Sequence, residues 1–161
     1  MKKVFSVLVT LALTMSVVFW VTPSKSLAGP APALTDLQII GITSDGNNFV
    51  WEDIHPYQMA AKKPLNGSEV RIAVYYKGTE SYGGSRIYSD GVDITSQTSK
   101  AANDDLLSGA DRIVYGYIKY YKIPIELLSS GGITVSAKNY YPPNKVFNDR
   151  LSFTINNGEV N

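Results

Sequence analysis

The 161-residue sequence has no cysteine and a single histidine. The first absence excludes a disulfide framework, a thiolate metal site, a cysteine nucleophile and a lipid-modified N-terminal cysteine. One imidazole without thiolates cannot assemble a typical zinc site. There is no Gly-x-Ser-x-Gly elbow, and no serine stands three residues ahead of a lysine. Both the triad and the lysine-based forms of serine catalysis therefore lack a nucleophile. No hydrophobic tail closes the sequence, so no membrane or wall anchor is expected there.

What is present begins with a leader. Lys2 and Lys3 precede an almost wholly apolar run at 4–21, Pro23 and Ser24 break any helix, and Ser26 and Ala28 put small residues where a signal peptidase inspects. Cleavage is expected after Ala28; Ala33 is the competing site, disfavoured by the adjacent Pro32. About 18 apolar residues nearly span a bilayer, but the flanks favour a cleaved secretory signal over an anchor. The expected organisation is a signal peptide at 1–28, a mobile Pro/Ala linker at 29–33 and a single domain at 34–161. Loss of Lys2, Lys3 and Lys25 takes the basic residues from 15 to 12 against 14 acidic ones. A net charge near −2 argues against nucleic acid as a partner, and no membrane association is expected after cleavage. A secreted domain without disulfides must rely on its hydrophobic core, which suits a bacterial exporter.

The stretch at 113–155 organises the rest. Residues 113–122 are rich in β-branched and aromatic side chains, 133–137 and 151–155 alternate, and Pro124, Gly131 and Gly132 punctuate them. Upstream, 34–43 is a strand candidate with Leu37, Ile39 and Gly41 on one face and Ile40 and Ile42 on the other. An apolar run follows at 49–51, and 56–63 has room for one or two helical turns with Pro56 at the start. Residues 69–77 alternate most cleanly, with Val70, Ile72, Val74 and Tyr76 opposed to Arg71, Ala73, Tyr75 and Lys77. Short strands at 86–88 and 92–95 and a polar, irregular stretch at 96–105 complete the pass. The similar segments 105–109 and 126–131 read as two capped turns, each feeding a strand. About seven short strands with turns between them predict an all-β fold, a small immunoglobulin-like β-sandwich. Val70, Ile72, Val74, Ile133, Val135, Leu151, Phe153 and Ile155 are its expected core.

Few residues suggest chemistry. His55 has Asp53 nearby but no nucleophile to serve. The carboxylate pairs Glu52/Asp53, Asp90/Asp93 and Asp104/Asp105 lie in polar loops, with nothing to set them across a cleft. The oxygen-rich clusters around Asp45, Asp90 and Asp93 have the composition of calcium loops, but Asp-Gly is also a common turn dipeptide; plain turns are the reading taken, with no metal and no cofactor. The 11 tyrosines stand out against 5 Phe and 2 Trp. If Val114, Ile118 and Tyr120 face the core, then Tyr115, Tyr117 and Lys119 face outward. Joined by Tyr75 and Lys77, they would form a Tyr/Lys surface able to stack on sugar rings and pair with anions. Tyr75, Lys77, Tyr115, Tyr117 and Lys119 are the candidate ligand-binding residues.

A leader of this kind, followed by a β-rich chain opening on Leu34-Thr35-Asp36-Leu37, resembles the small secreted proteins of Bacillus of the YolA and YoaW kind. The resemblance implies secretion and transfers no site. The expected function is a secreted, non-enzymatic binding domain, its partner a cell-wall glycan or a protein. The alternative is a secreted toxin, inhibitor or bacteriocin-like effector.

Overall fold

Alternation in the longest strands sets the architecture. A computed structural model describes residues 32–129, 131–141 and 144–156; the expected leader lies outside them. Its ten strands are β1 (Asp36–Ser44), β2 (Glu52–Asp53), β3 (Glu69–Lys77), β4 (Glu80–Ser89), β5 (Val92–Asp93), β6 (Ser99–Lys100), β7 (Asp105–Ser108), β8 (Val114–Pro124), β9 (Ile133–Asn139) and β10 (Val146–Leu151). One antiparallel sheet runs β2-β1-β3-β8, with β6 and β7 placed one after the other along the free edge of β8. The second runs β10-β9-β4-β5. The two sheets form the expected all-β sandwich, and the strands beyond the expected seven are short edge pieces. Edge strands β6 and β7 carry Lys100 and Asp105 with Asp104 between them, and charge of this kind discourages pairing with other chains.

The core lies between the sheets. Val70, Ile72, Val74 and Tyr76 of β3 are fully buried, facing Ile87 of β4 and Ile133, Val135 and Ala137 of β9. Each such aliphatic side chain contributes roughly 1.5–3 kcal/mol on burial. All eight expected core residues belong to this cluster, with Ile155 only half-buried at its margin.

Five local expectations are corrected. In β1 the pairing to β3 passes from Ile39↔Val74 to Gly41↔Ala73, which leaves Ile40 as an extra residue in a β-bulge. Ile39 and Ile42 therefore both face the core, and Gly41 faces outward. The last strand is β10, ending at Leu151; residues 152–155 continue as isolated bridges from Ser152 to Ala60 and from Ile155 to Leu65. β10 escaped notice because Asp149 breaks its hydrophobic alternation; that carboxylate accepts the Ile39 amide at 2.7 Å across the seam between the sheets. Residues 56–63 form no helix, and Tyr57 adopts a left-handed φ of 70° there. The segment at 105–109 supplies edge strand β7, whereas 126–131 opens inside the 3-10 turn Ile125–Leu127, so the two do not share a structure. Pro32 and Ala33, read as part of a mobile linker, are fastened to the corner between β3 and β4, where the Thr79 amide donates to the Pro32 carbonyl at 2.7 Å.

Candidate binding face on the outer side of the larger sheet

The register of β8 against β3 decides which tyrosines reach solvent. Val70 pairs with Ile123, Ile72 with Tyr121, Val74 with Lys119 and Tyr76 with Tyr117. Residues directly opposite in a ladder share a face, so Tyr117, Lys119 and Tyr121 point inward with the core of β3. The expected orientation of β8 is thus off by one residue from Gly116 to Ile123, which exchanges the two faces there; at Tyr115 the ladder to β7 passes from Leu107↔Gly116 to Ser108↔Val114, and this bulge frees Tyr115 from the parity of Tyr117. The inward choice follows from Ile123, which caps the fully buried end of β8 beside Val70. Polar tips are tolerated inside because they find partners. The Tyr76 and Tyr121 hydroxyls bond at 2.8 Å, and Lys119 Nζ pairs with Glu80 Oε1. The five candidate residues therefore do not share one face: Tyr75, Lys77 and Tyr115 belong to the outer side, Tyr117 and Lys119 to the interior.

The outer face of the sheet is nonetheless aromatic and cationic. Across it run the rows Thr43/Arg71/Lys122, Gly41/Ala73/Tyr120, Gln38/Tyr75/Ile118 and Asp36/Lys77/Gly116. Onto the second row folds Trp51, which the sequence places in an unassigned apolar run. Asn48 and Phe49 both take φ of 54°, an uncommon conformation for an aromatic residue and one that marks a local constraint. The resulting reversal is pinned by the Phe49 amide on the Ser44 carbonyl at 3.0 Å and by the Thr43 hydroxyl on the Val50 carbonyl at 2.9 Å. The chain is thereby thrown back over the sheet. Gly41 and Ala73 form the floor: a Cβ on Gly41 would stand 3.2 Å from Trp51 Cε3. Tyr120 stands edge-on beside the indole, centroids 6.0 Å apart. Trp51 remains 39% exposed and Phe49 36%, so the rings present themselves to solvent.

Charges flank the rings. The Arg71 guanidinium lies 3.9 Å from the Phe49 ring centroid and pairs with Glu69 at 2.6 Å, while Lys122 pairs with the other Glu69 oxygen at 2.5 Å. The Tyr120 hydroxyl donates to Asp105 at 2.7 Å; that bond, with lesser burial, raises its pKa. Burial first, then the neighbouring Tyr115 and Asp36, raises the pKa of Tyr75, which places the Tyr115 hydroxyl in the same neighbourhood.

The acidic clusters go to separate local partners. Asp93 accepts from the Thr95 amide at 2.9 Å, Asp90 from the Ser129 hydroxyl, and Asp104 pairs with Lys100 at 2.9 Å. Glu52 accepts the Lys62 and Lys63 amides at 2.7 and 2.9 Å; burial opposes the effect, but these donors hold its pKa below the ordinary value. His55 is exposed on the rim of a groove of about 430 Å³ between β1 and β10, lined also by Tyr57, Met59, Asp149 and Arg150.

Sequence reasoning missed Trp51 and Tyr120. The available signal was Gly41, since an isolated glycine inside a strand marks a site where another group approaches closely. No curated protein matches the chain. A family model described as a domain of unknown function (DUF4879) matches residues 29–153. Spanning most of its length, that match makes the chain a member of the DUF4879 family.

Proposed function

We propose that the protein is a secreted, non-enzymatic binding domain whose ligand is a cell-wall glycan bearing anionic groups, held on the outer face of the larger sheet. One observation carries the reading: Trp51 and Tyr120 are fixed edge-to-face on a floor of Gly41 and Ala73, yet Trp51 stays open to solvent and Tyr120 is only half-buried. Positioned aromatic rings bury sugar faces at little entropic cost because their rotamers are already fixed. Arg71, Lys77 and Lys122 would supply a salt-screened attraction for phosphate or carboxylate groups on the polymer.

The test is co-sedimentation with purified wall sacculi, with and without their anionic polymers. Trp51→Ala should weaken retention at least about tenfold, roughly 1.4 kcal/mol, with the unfolding midpoint nearly unchanged. Stripping the anionic polymers should remove the salt-sensitive part alone. Equal retention of wild type and variant would end the proposal. Recovery of the wild type wholly in the medium, with no affinity for sacculi, would favour the effector alternative. N-terminal sequencing of the same material should begin at Gly29, and an intact Met1 form in the membrane fraction would overturn export with cleavage.

A further inference from the structure

The interior of the sandwich holds three polar groups that the outer face does not use. Lys119 reaches inward from β8. Glu80 of β4 and Asn139 of β9 are direct cross-strand partners on the inward face, two positions along β9 from the buried Ala137. Opposed residues have Cβ atoms about 4.5–5.5 Å apart, and Lys119 Nζ is ion-paired with Glu80 Oε1. Glu80 thus links the two, ion-paired with Lys119 and opposite Asn139 in the ladder. The Lys119 and Glu80 side chains are only 19% and 14% exposed. The wall is aromatic: Lys119 Nζ sits 4.9 Å from the Tyr76 ring centroid, and the Tyr76 hydroxyl bonds to Tyr121. Asn139 Oδ1 is buried and has no hydrogen-bond partner among the described residues. Leaving such an acceptor unpaired costs about 1–3 kcal/mol, so its place here calls for a reason.

We propose that Lys119 and Asn139 form an intramolecular isopeptide bond, with Glu80 as the acid–base catalyst. A proton moves from Lys119 Nζ to Glu80 within the ion pair, leaving a neutral amine and a neutral acid; burial of Lys119 favours this exchange, while the Glu80 carboxylate opposes it and holds the Lys119 pKa above its ordinary value, so the neutral pair is the minor, reactive form. The Nζ lone pair attacks Asn139 Cγ, and the Glu80 acid hydrogen-bonds to Oδ1 as negative charge develops there. Glu80 then relays a second proton from Nζ to Nδ2. The Cγ–Nδ2 bond breaks, ammonia departs, and Glu80 ends as the carboxylic acid. One C–N bond forms and one breaks, with no oxidant or co-reactant. A groove of about 400 Å³ lined by Glu80, Tyr117 and Lys119 offers ammonia a way out. The link would join a strand of one sheet to a strand of the other, which is the service a disulfide would give and which this cysteine-free chain cannot obtain from sulfur.

Intact-mass measurement of the purified wild-type chain tests this directly. The expected result is a mass about 17 Da below the sequence value, the loss of ammonia. A branched proteolytic peptide should join Lys119 to Asn139. Lys119→Arg and Glu80→Gln should each restore the full mass. A folded wild type at full mass overturns the proposal, as does a link between other residues or a loss of water that would join Lys119 to Glu80 itself. A Glu80→Gln chain that unfolds cooperatively yet still loses ammonia would remove Glu80 from the catalysis. Should either variant fail to fold, the wild-type mass and peptide map decide alone.

Discussion

Asp45 tests how the loop beneath the aromatic face is held. It opens the 3-10 turn Asp45–Asn47, just ahead of the reversal that carries Trp51 onto the sheet. Its carboxylate accepts the Glu69 amide at 2.9 Å, the Ser68 hydroxyl at 2.7 Å and the Ser68 amide at 2.9 Å, tying the turn to the start of β3. Led by the Glu69 amide, and against a smaller opposing effect of burial, these donors hold its pKa at about 2, below the ordinary 3.8. A depressed folded-state pKa means that the native state binds the charged form preferentially. The stabilisation is therefore complete above the unfolded value and is lost as pH falls toward the folded one. At 1.36 kcal/mol per pH unit the shift corresponds to about 2.5 kcal/mol. The carboxylate is open to water, and screening reduces this to about 1 kcal/mol. The assay is urea unfolding of wild type and Asp45→Asn at intervals from neutral pH to about pH 2. Wild type should be the more stable by about 1 kcal/mol at neutral pH, and the gap should close as pH falls from 3.8 toward about 2. Taking the difference between the two proteins cancels Glu52, Glu69 and Asp93, whose pKa values are also lowered. A gap of constant size across the range would show that the Asp45 charge is not what binds the turn to β3.

Two further substitutions probe the core and the floor of the aromatic face. Phe153 is 4% exposed, so Phe153→Ala should cost ~3–5 kcal/mol, a large part of the ~5–15 kcal/mol available to a domain. Poor yield or a much lower urea midpoint would show this, whereas the half-buried Ile155 should lose distinctly less on truncation. Gly41→Val should push the indole off its seat, because even a Cβ there meets Trp51 at 3.2 Å. Trp51 is the only tryptophan after Trp20, which falls in the expected leader, so in the secreted chain proposed above a red-shifted emission, sacculus retention as weak as that of Trp51→Ala and an unfolding free energy changed by less than about 1 kcal/mol are the combined expectation; unchanged emission would refute the packing.

The fold was legible where hydrophobic alternation is unbroken. β3 and β9 could be read almost residue by residue, since aliphatic and polar positions alternate there with only Ala73 on the outer face of β3 and Asn139 on the inner face of β9 departing from the pattern, and the turns around them carry glycine. β8 could be placed but not oriented. Tyrosine and lysine occupy both of its faces, so composition does not separate them, and only the pairing of Ile123 with Val70 fixes the side. β10 was illegible because its inward Asp149 is stabilised by an amide from the other sheet, a long-range partner that no local pattern records. The aromatic face was half legible. Tyr75 was found by alternation, but Tyr115 leaves the parity of its strand at a bulge, and Trp51 arrives from outside the ladder through a reversal at two left-handed residues. Nothing in the propensities of Asn48 and Phe49 together announces that turn. The inward cluster of Lys119, Glu80 and Asn139 draws on three strands far apart in the chain, and it becomes visible only once their registers are known.

The bulge in β1 bears on how this chain should be aligned with its relatives. On both sides of Ile40 the ladder to β3 keeps its order, Ile39 opposite Val74 and Gly41 opposite Ala73. Without Ile40 the strand would alternate in the ordinary way, with Ile39 and Ile42 still inside and Gly41 still beneath Trp51. The extra residue directs its carbonyl to the Ile54 amide, and its neighbour's amide goes to Asp149. Both bonds lie on the side of β1 away from β3. A length difference of one residue at this point is thus absorbed at the strand's margin and leaves both faces with the same occupants. In comparisons across the family, a gap opposite Ile40 should count as conservation of the strand, and residues 39–41 should be matched by their partners in β3 instead of by counting from either end.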